Sequence, residues 1–163
     1  MSVSTKESWR TRGTDLQKGI EELKKQFVKG ELMNYHYYKT CWVQLEQRRI
    51  GMNQDYEDRL EREGSGSIIR LPDGSSSNSP WQINKTGNVA DLLGRLQLYD
   101  NNLKIIDEWL TCLTPDQKEA VMAYVVDRQC SDLDGAAAAT GKTPEAVNKA
   151  QERAIYRIVR KFC

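Results

Sequence analysis

The fold turns on residues 113–161, LTPDQKEAVMAYVVDRQCSDLDGAAAATGKTPEAVNKAQERAIYRIVRK. The stretch divides into three short helical segments, and each boundary has a chemical reason. Thr114 before Pro115 reads as an N-cap followed by a proline at the first helical position. Val121, Met122, Val125 and Val126 then give the first segment an apolar stripe at helical spacing. Ser131 or Asp132 can cap the second segment, Leu133 to Thr140, which is mostly alanine. Gly141 follows, where a helix stops with positive φ. Thr143-Pro144-Glu145 opens the third segment with a cap, a proline and an acid in the first turn. Val147, Ala150, Ala154, Ile155 and Ile158 form its apolar face.

Two helices joined by a tight glycine-containing turn are the sequence form of a helix-turn-helix. Alanine in the second segment lets two crossing backbones approach closely. The third segment is then the candidate recognition helix. Off its apolar face stand Glu145, Asn148, Lys149, Glu152, Arg153, Arg157, Arg160 and Lys161. Residues 141–163 hold six basic and two acidic side chains, a local charge of +4 in a chain of net charge +1. DNA recognition needs cations for phosphates and Asn, Arg or Lys for base edges, and both kinds are present. The plainer alternative is a tri-helical packing unit whose basic last turn is a solvated helix end, favoured there by the helix dipole.

The order of these residues resembles region 4 of bacterial sigma-70 factors, over about the last third of the chain. Leu113-Thr114-Pro115 and Glu119 match the opening helix. Ala136, Ala137 and Gly141 match the scaffold helix and turn. Thr143, Val147, Arg153 and Ala154 match the recognition helix. The chain departs from that pattern at Gln151, where the family usually has leucine, at Ala150, where it often has a basic residue, and at Gly135, inside the scaffold helix. These departures imply fewer direct contacts near the centre of the recognition helix.

The chain is 163 residues long, which suits one medium domain or two small ones. Hydrophobic residues make up 39% and charged residues 29%. With a mean hydropathy of −0.69, this composition suits an elongated helical protein better than a compact enzyme. No apolar run approaches a membrane span, and MSVSTKESWRTRG lacks the apolar core of a signal peptide. The expected location is cytoplasmic, with no membrane partner.

Catalytic and metal chemistry find little to work with. Cys41, Cys112, Cys130 and Cys163 are scattered, form no CxxC pair and share the chain with a single histidine, His36. They read as small buried residues or incidental thiols of a reducing compartment. There is no phosphate-binding glycine loop and no HExxH. Asp132 and Asp134 in SDLDG lack the further ligands of a calcium loop and read as a helix cap. The expectation is no enzyme, no metal and no cofactor.

Upstream, residues 1–13 are polar and read as frayed, and Thr14-Asp15-Leu16-Gln17 reads as a capping box. Leu16, Ile20, Leu23 and Phe27 then predict an amphipathic helix of about four turns ending near Lys29-Gly30. A second stripe, Leu32, Tyr35, Tyr38, Trp42 and Leu45, predicts another helix, weakened at Gly51 and restarting at Asn53 through Tyr56 and Leu60. The Tyr35-His36-Tyr37-Tyr38 cluster reads as hairpin core, with base stacking as the alternative. Residues 64–84, rich in Gly, Ser, Pro and Asn, read as a polar linker. Ile68, Ile69, Leu71 and Trp81 predict docking of one or both of its ends on a helix.

Val89, Leu92, Leu96, Tyr99, Leu103, Ile106, Leu110 and Leu113 alternate three and four residues apart, an unbroken heptad seam. At about 1.5 Å per residue it spans roughly 36 Å. Leu93, Ile105 and Trp109 widen it, so the seam has two candidate partners: the N-terminal helices in a bundle, or a second copy in a homodimer.

The expected architecture is all-α. An N-terminal helical hairpin or bundle (1–63) precedes a polar linker (64–84). A long heptad-patterned helix (85–112) then leads into a C-terminal helix-turn-helix (113–163). This layout is similar to that of the ArpU/RinA-like transcription regulators of phages infecting Gram-positive bacteria. The resemblance implies a DNA-binding activator of late, packaging and lysis genes, acting in the host cytoplasm. In that reading Glu145, Asn148, Lys149 and Glu152 face base edges, while Lys142, Thr143, Arg153 and Arg157 face phosphates. Three rival readings stand beside it: a sigma-like factor that binds RNA polymerase, a small terminase subunit, and a helical interaction protein that binds no DNA.

Overall fold

The computed structural model describes the backbone of residues 5–63, 69–70, 76–77 and 80–163 and the side chains of residues 13–58 and 89–163. The protein is all-α. Its helices are α1 (Thr5–Met33), α2 (Tyr35–Glu63), α3 (Pro80–Thr111), α4 (Pro115–Ala120), α5 (Leu133–Thr140) and α6 (Pro144–Phe162). A two-residue antiparallel ladder pairs Ile69 with Ser77 and Arg70 with Ser76. Among the described residues no helix is long and apolar enough to cross a membrane.

The backbone corrects several expectations. α1 begins at Thr5, so Thr14 lies inside it and starts no helix. Lys6, Glu7, Arg10 and Arg12 are good helix formers, and Gly13 costs a helix only about 1 kcal/mol, too little to stop one. α1 also runs past Gly30 to Met33, which makes Leu32 its last buried residue. α2 passes through Gly51 without a break. α3 starts at Pro80, within the Ser/Asn-rich stretch, because proline at a first helical position satisfies an end that has no hydrogen bond to lose. The docking expected of Ile68, Ile69, Leu71 and Trp81 lies outside the described side chains.

The chain forms two compact units. One comprises Tyr37–Leu103. In it α2 and the first part of α3 run side by side. Tyr38 and Tyr99 lie with ring centroids 6.0 Å apart, and Tyr37 meets Tyr99 edge-on at 6.5 Å. Further along, Leu45 and Met52 flank the same small cavity as Leu92. Tyr35 and Tyr38 are half-buried, but His36 and Tyr37 are exposed, so the cluster is not the hairpin core expected of it. Hydrogen bonding to Cys41 and then to Tyr99 pushes the Tyr37 hydroxyl up to about 12. Leu92 and Leu96 are buried here.

The other unit comprises Met1–His36 and Lys104–Cys163. Ile106, Trp109 and Leu110 from the end of α3 are buried in it, together with Val28 and Leu32 of α1. Both halves of the heptad seam are thus covered within one copy of the chain. Tyr35 donates to Asp107 at 3.2 Å, and Phe27 meets Trp109 edge-on at 6.5 Å. The N-terminal helix also belongs to the C-terminal unit, packing on α6 and on the segment that follows α4.

That segment, Val121–Val126, is π-helical: the Asp127 amide reaches back five residues to the Met122 carbonyl at 2.9 Å. The widened turn buries Val121, Ala123, Val125 and Val126, so three residues of the apolar stripe seen in the sequence are core while Met122 is half-buried. The chain leaves it through Gln129 and Cys130, both with positive φ (48° and 61°). Tyr124 holds this corner twice. Its carbonyl accepts from the Cys130 amide at 2.9 Å, and its hydroxyl donates to the Cys130 carbonyl at 3.1 Å.

Candidate nucleic-acid interface

The three-helix unit is assembled by its caps. Thr114 accepts from the Gln117 amide while the Gln117 side chain accepts from the Thr114 amide, a reciprocal capping box. Of the two candidates for the second cap, Asp132 takes the role and accepts from the Gly135 amide at 2.8 Å. Gly135 has a reason to be glycine, since a Cβ there would collide with the Asp132 carboxylate and press on the Arg128 guanidinium. Gly141 stops α5 at φ 66°, and Thr143 caps α6 by accepting from the Ala146 amide at 3.2 Å. Ala120, Ala123, Ala136, Ala137 and Val147 form one buried cluster beneath these turns. Small side chains at the crossing bring α4, α5 and α6 into close contact.

α6 buries Val147, Gln151, Ala154, Ile155, Ile158 and Val159. Ala150, expected in the core, is only half-buried, and Gln151 and Val159 were not expected there at all. The opposite side of the helix presents Glu145, Lys149, Glu152, Arg153 and Arg157 to solvent, with Asn148 half-buried at its edge. Lys149 and Arg153 make no ion pair with the described residues.

The eight sequence-selected residues do not share one fate. Asn148 belongs to a short polar chain: its Oδ1 accepts from Gln151 Nε2 at 3.0 Å and its Nδ2 donates to Glu152 Oε1 at 3.4 Å. Its amide is therefore oriented before anything binds. Gln151 is 3% exposed, and its own Oε1 finds no donor among the described residues. Lys142 is the residue whose surroundings differ most from a free phosphate-binding cation. Its Nζ lies 2.9 Å from Asp116 Oδ1 and 3.0 Å from Glu119 Oε2. Hydrogen bonds to those two carboxylates hold its ammonium above the usual lysine range. Lys142 thus ties the α5–α6 turn to the first turns of α4. Arg157 leans toward Gln117 Oε1, 3.5 Å from its guanidinium. The hydroxyl oxygen of Thr143 is occupied in its cap.

α1 crosses the C-terminal half of α6. Glu22, Lys25, Gln26 and Lys29 face Glu152, Arg153 and Tyr156 across an open groove of about 640 Å³ floored by Gln151 and Ile155. Beyond it, the Lys24 ammonium donates to the Cys163 carbonyl at 2.8 Å. On α6 the lining of the groove begins at Gln151, and Glu145, Ala146 and Lys149 before it are exposed. No sequence signal announced the groove, because α1 and α6 are separated by more than a hundred residues and neither carries a motif for the other.

Other chemistry is sparse. Among the described residues no three His, Cys, Asp or Glu side chains come together as a metal site. The four cysteines are unpaired, and burial pushes the Cys130 thiol up despite the opposing effect of Lys29. His36 faces the Asp127 carboxylate at 2.7 Å on the surface. The chain matches no protein-family model, no curated protein and no solved structure.

Proposed function

We propose that the chain is a sequence-specific transcription regulator that reads double-stranded promoter DNA through a helix-turn-helix made of α5 and α6. The observation that carries this reading is the outward face of the first half of α6. It precedes the groove lining on α6, is capped at a fixed angle by Thr143 and Pro144, and presents Glu145, Asn148 and Lys149 in line. A recognition helix uses that half in the major groove. Asn148 offers an amide already oriented by Gln151 and Glu152, the donor–acceptor pair that suits an adenine edge. Lys149 supplies a free cation for a guanine edge. Arg153 and Arg157 serve the phosphates. Lys142, held between Asp116 and Glu119, acts instead as the brace that sets the angle of α6.

The resemblance to phage late-gene regulators supports activation of late genes as the biological setting. The test is binding to duplex DNA across a salt series. With Arg153, Arg157 and their neighbours neutralising about two to five phosphates, log K should fall with log salt at a slope near −0.9 per phosphate. Lys149→Ala is expected to lose discrimination between a preferred duplex and random duplex, while Arg153→Ala weakens both alike. Equal losses on both duplexes for Lys149→Ala would remove this division of roles.

A further inference from the structure

α1 carries an apolar stripe that stays largely exposed among the described residues. Leu16, Ile20, Leu23 and Phe27 are 68%, 46%, 66% and 59% exposed. They are the residues the sequence marks as the helix's apolar face, yet the side that packs into the C-terminal unit is that of Val28 and Leu32. The stripe ends at Phe27, whose ring edge rests on Trp109. On the same face of α3, one turn from Trp109, Ile105 is also exposed. From these side chains we infer that α1 is a homodimerisation helix, pairing antiparallel with α1 of a second copy.

Three features favour a second copy over another occupant. The spacing of the stripe is four, three, four, so it reads the same in both directions. A two-fold axis between Ile20 and Leu23 sets Leu16 against Phe27 of the other copy and Ile20 against Leu23. This is the self-complementary arrangement a two-fold interface requires. Second, the flanking side chains do not oppose the pairing. The positions flanking the stripe are Gln17, Gly19, Lys24 and Gln26, and antiparallel pairing puts Gln17 opposite Lys24 and Gly19 opposite Gln26. No like charges meet beside the seam. Gly19 is otherwise unexplained, since a Cβ there would meet nothing within 4 Å of its own chain. Mid-helix glycine is unfavourable in a lone helix and useful where a second helix approaches closely.

The third feature is size. The four side chains expose on the order of 450 Å², within the range of the largest apolar patch on a typical monomer, and such patches are often functional. Doubled and extended by the flanking residues, the contact reaches the roughly 1,200 Å² at which stable interfaces begin. The long seam of α3, by contrast, is covered within one copy at Leu92, Leu96, Ile106 and Leu110. A dimer that used it would have to open the fold.

Sedimentation equilibrium of the full chain tests this, beside a Leu16→Glu/Leu23→Glu variant and a Leu98→Glu control. All three positions are exposed, so the fold should persist, and circular dichroism checks that it does. The expected result is a wild-type dimer, a control that dimerises equally well, and a double variant whose association is at least about a hundredfold weaker. A photo-crosslinker at position 20 should capture the peptide containing Leu23 of the other copy. A wild-type chain monomeric at every concentration overturns the inference. So does a dimer that survives the double variant, or one lost in Leu98→Glu alone. Binding of the monomer to phosphatidylserine vesicles through Leu16 and Leu23 would assign the stripe to a lipid surface and overturn it equally.

Discussion

Replacing Gln151 by leucine should make the protein more stable and, under the proposed function, a poorer reader of DNA. Gln151 sits 3% exposed on the buried face of α6 with an Oε1 that accepts nothing from the described residues. A buried acceptor left without a donor costs about 1–3 kcal/mol, and leucine of similar volume removes that cost. The same change deletes the hydrogen bond from Gln151 Nε2 to Asn148 Oδ1, a loss of about 0.5–1.5 kcal/mol in a half-exposed setting. The balance is a gain of about 1 kcal/mol, equivalent to about 2–4 °C in Tm for a chain of this size. Urea unfolding followed by far-ultraviolet circular dichroism measures it, with an unchanged m-value as the check that only stability moved. Asn148 meanwhile loses the donor that orients its amide, so discrimination at the base pair it faces should fall, up to about tenfold. A destabilised Gln151→Leu protein would refute the packing argument. A stabilised variant with unaltered base preference would refute the role given to the Gln151–Asn148–Glu152 chain.

Three further substitutions follow from local geometry. Gly135→Ala should destabilise, although alanine normally improves a helix by about 1 kcal/mol, because its Cβ displaces the Asp132 carboxylate from the α5 cap, a cap worth about 0.5–2 kcal/mol; thermal melting would show the sign, and a clear rise in Tm contradicts it. Gln129→Gly should stabilise by about 1 kcal/mol, since Gln129 holds φ 48° on an exposed corner where a side chain is disfavoured; chemical denaturation measures it. Lys142→Met should destabilise by an amount that is constant from about pH 6 to about pH 9. The raised Lys142 value means that its contribution is fully present below the ordinary lysine value of 10.5 and is lost as pH rises through the raised one. A difference that fades before pH 9 would detach that contribution from the lysine charge.

The sequence disclosed the C-terminal unit because its information is local. Thr114-Pro115, Asp132 and Thr143-Pro144 cap the residues that follow them, Gly141 closes the helix that precedes it, and the structure uses every one of them. The alanines of α5 announced a close crossing for the same reason. What stayed hidden depends on partners far along the chain. The stripe of α1 is legible as a stripe, but the side of the helix that packs is decided by where α6 and the π-helical segment stand. Periodicity alone therefore chose Leu16, Ile20, Leu23 and Phe27 over Val28 and Leu32. The widened turn at 121–126 has the same apolar pattern as an α-helix and differs only in pitch. At the candidate site, the exposed face of α6 was legible from its polarity. The double clamp on Lys142 was not, because Asp116 and Glu119 lie 26 and 23 residues away. Gln151 was visible as a departure from an expected leucine, but its link to Asn148 required the helix to be seated.

The central claim is that the first half of α6 reads DNA sequence. Selection of the full chain against a random duplex library, with the enriched duplexes bound again at rising salt, tests it most directly. The account predicts enrichment of a defined motif, binding that weakens with salt, and loss of the motif preference in Lys149→Ala. Pairing through α1 would further give two copies of that motif at a fixed spacing. No binding to any duplex at low salt would contradict the claim and leave α4, α5 and α6 as a packing unit whose basic face serves another partner.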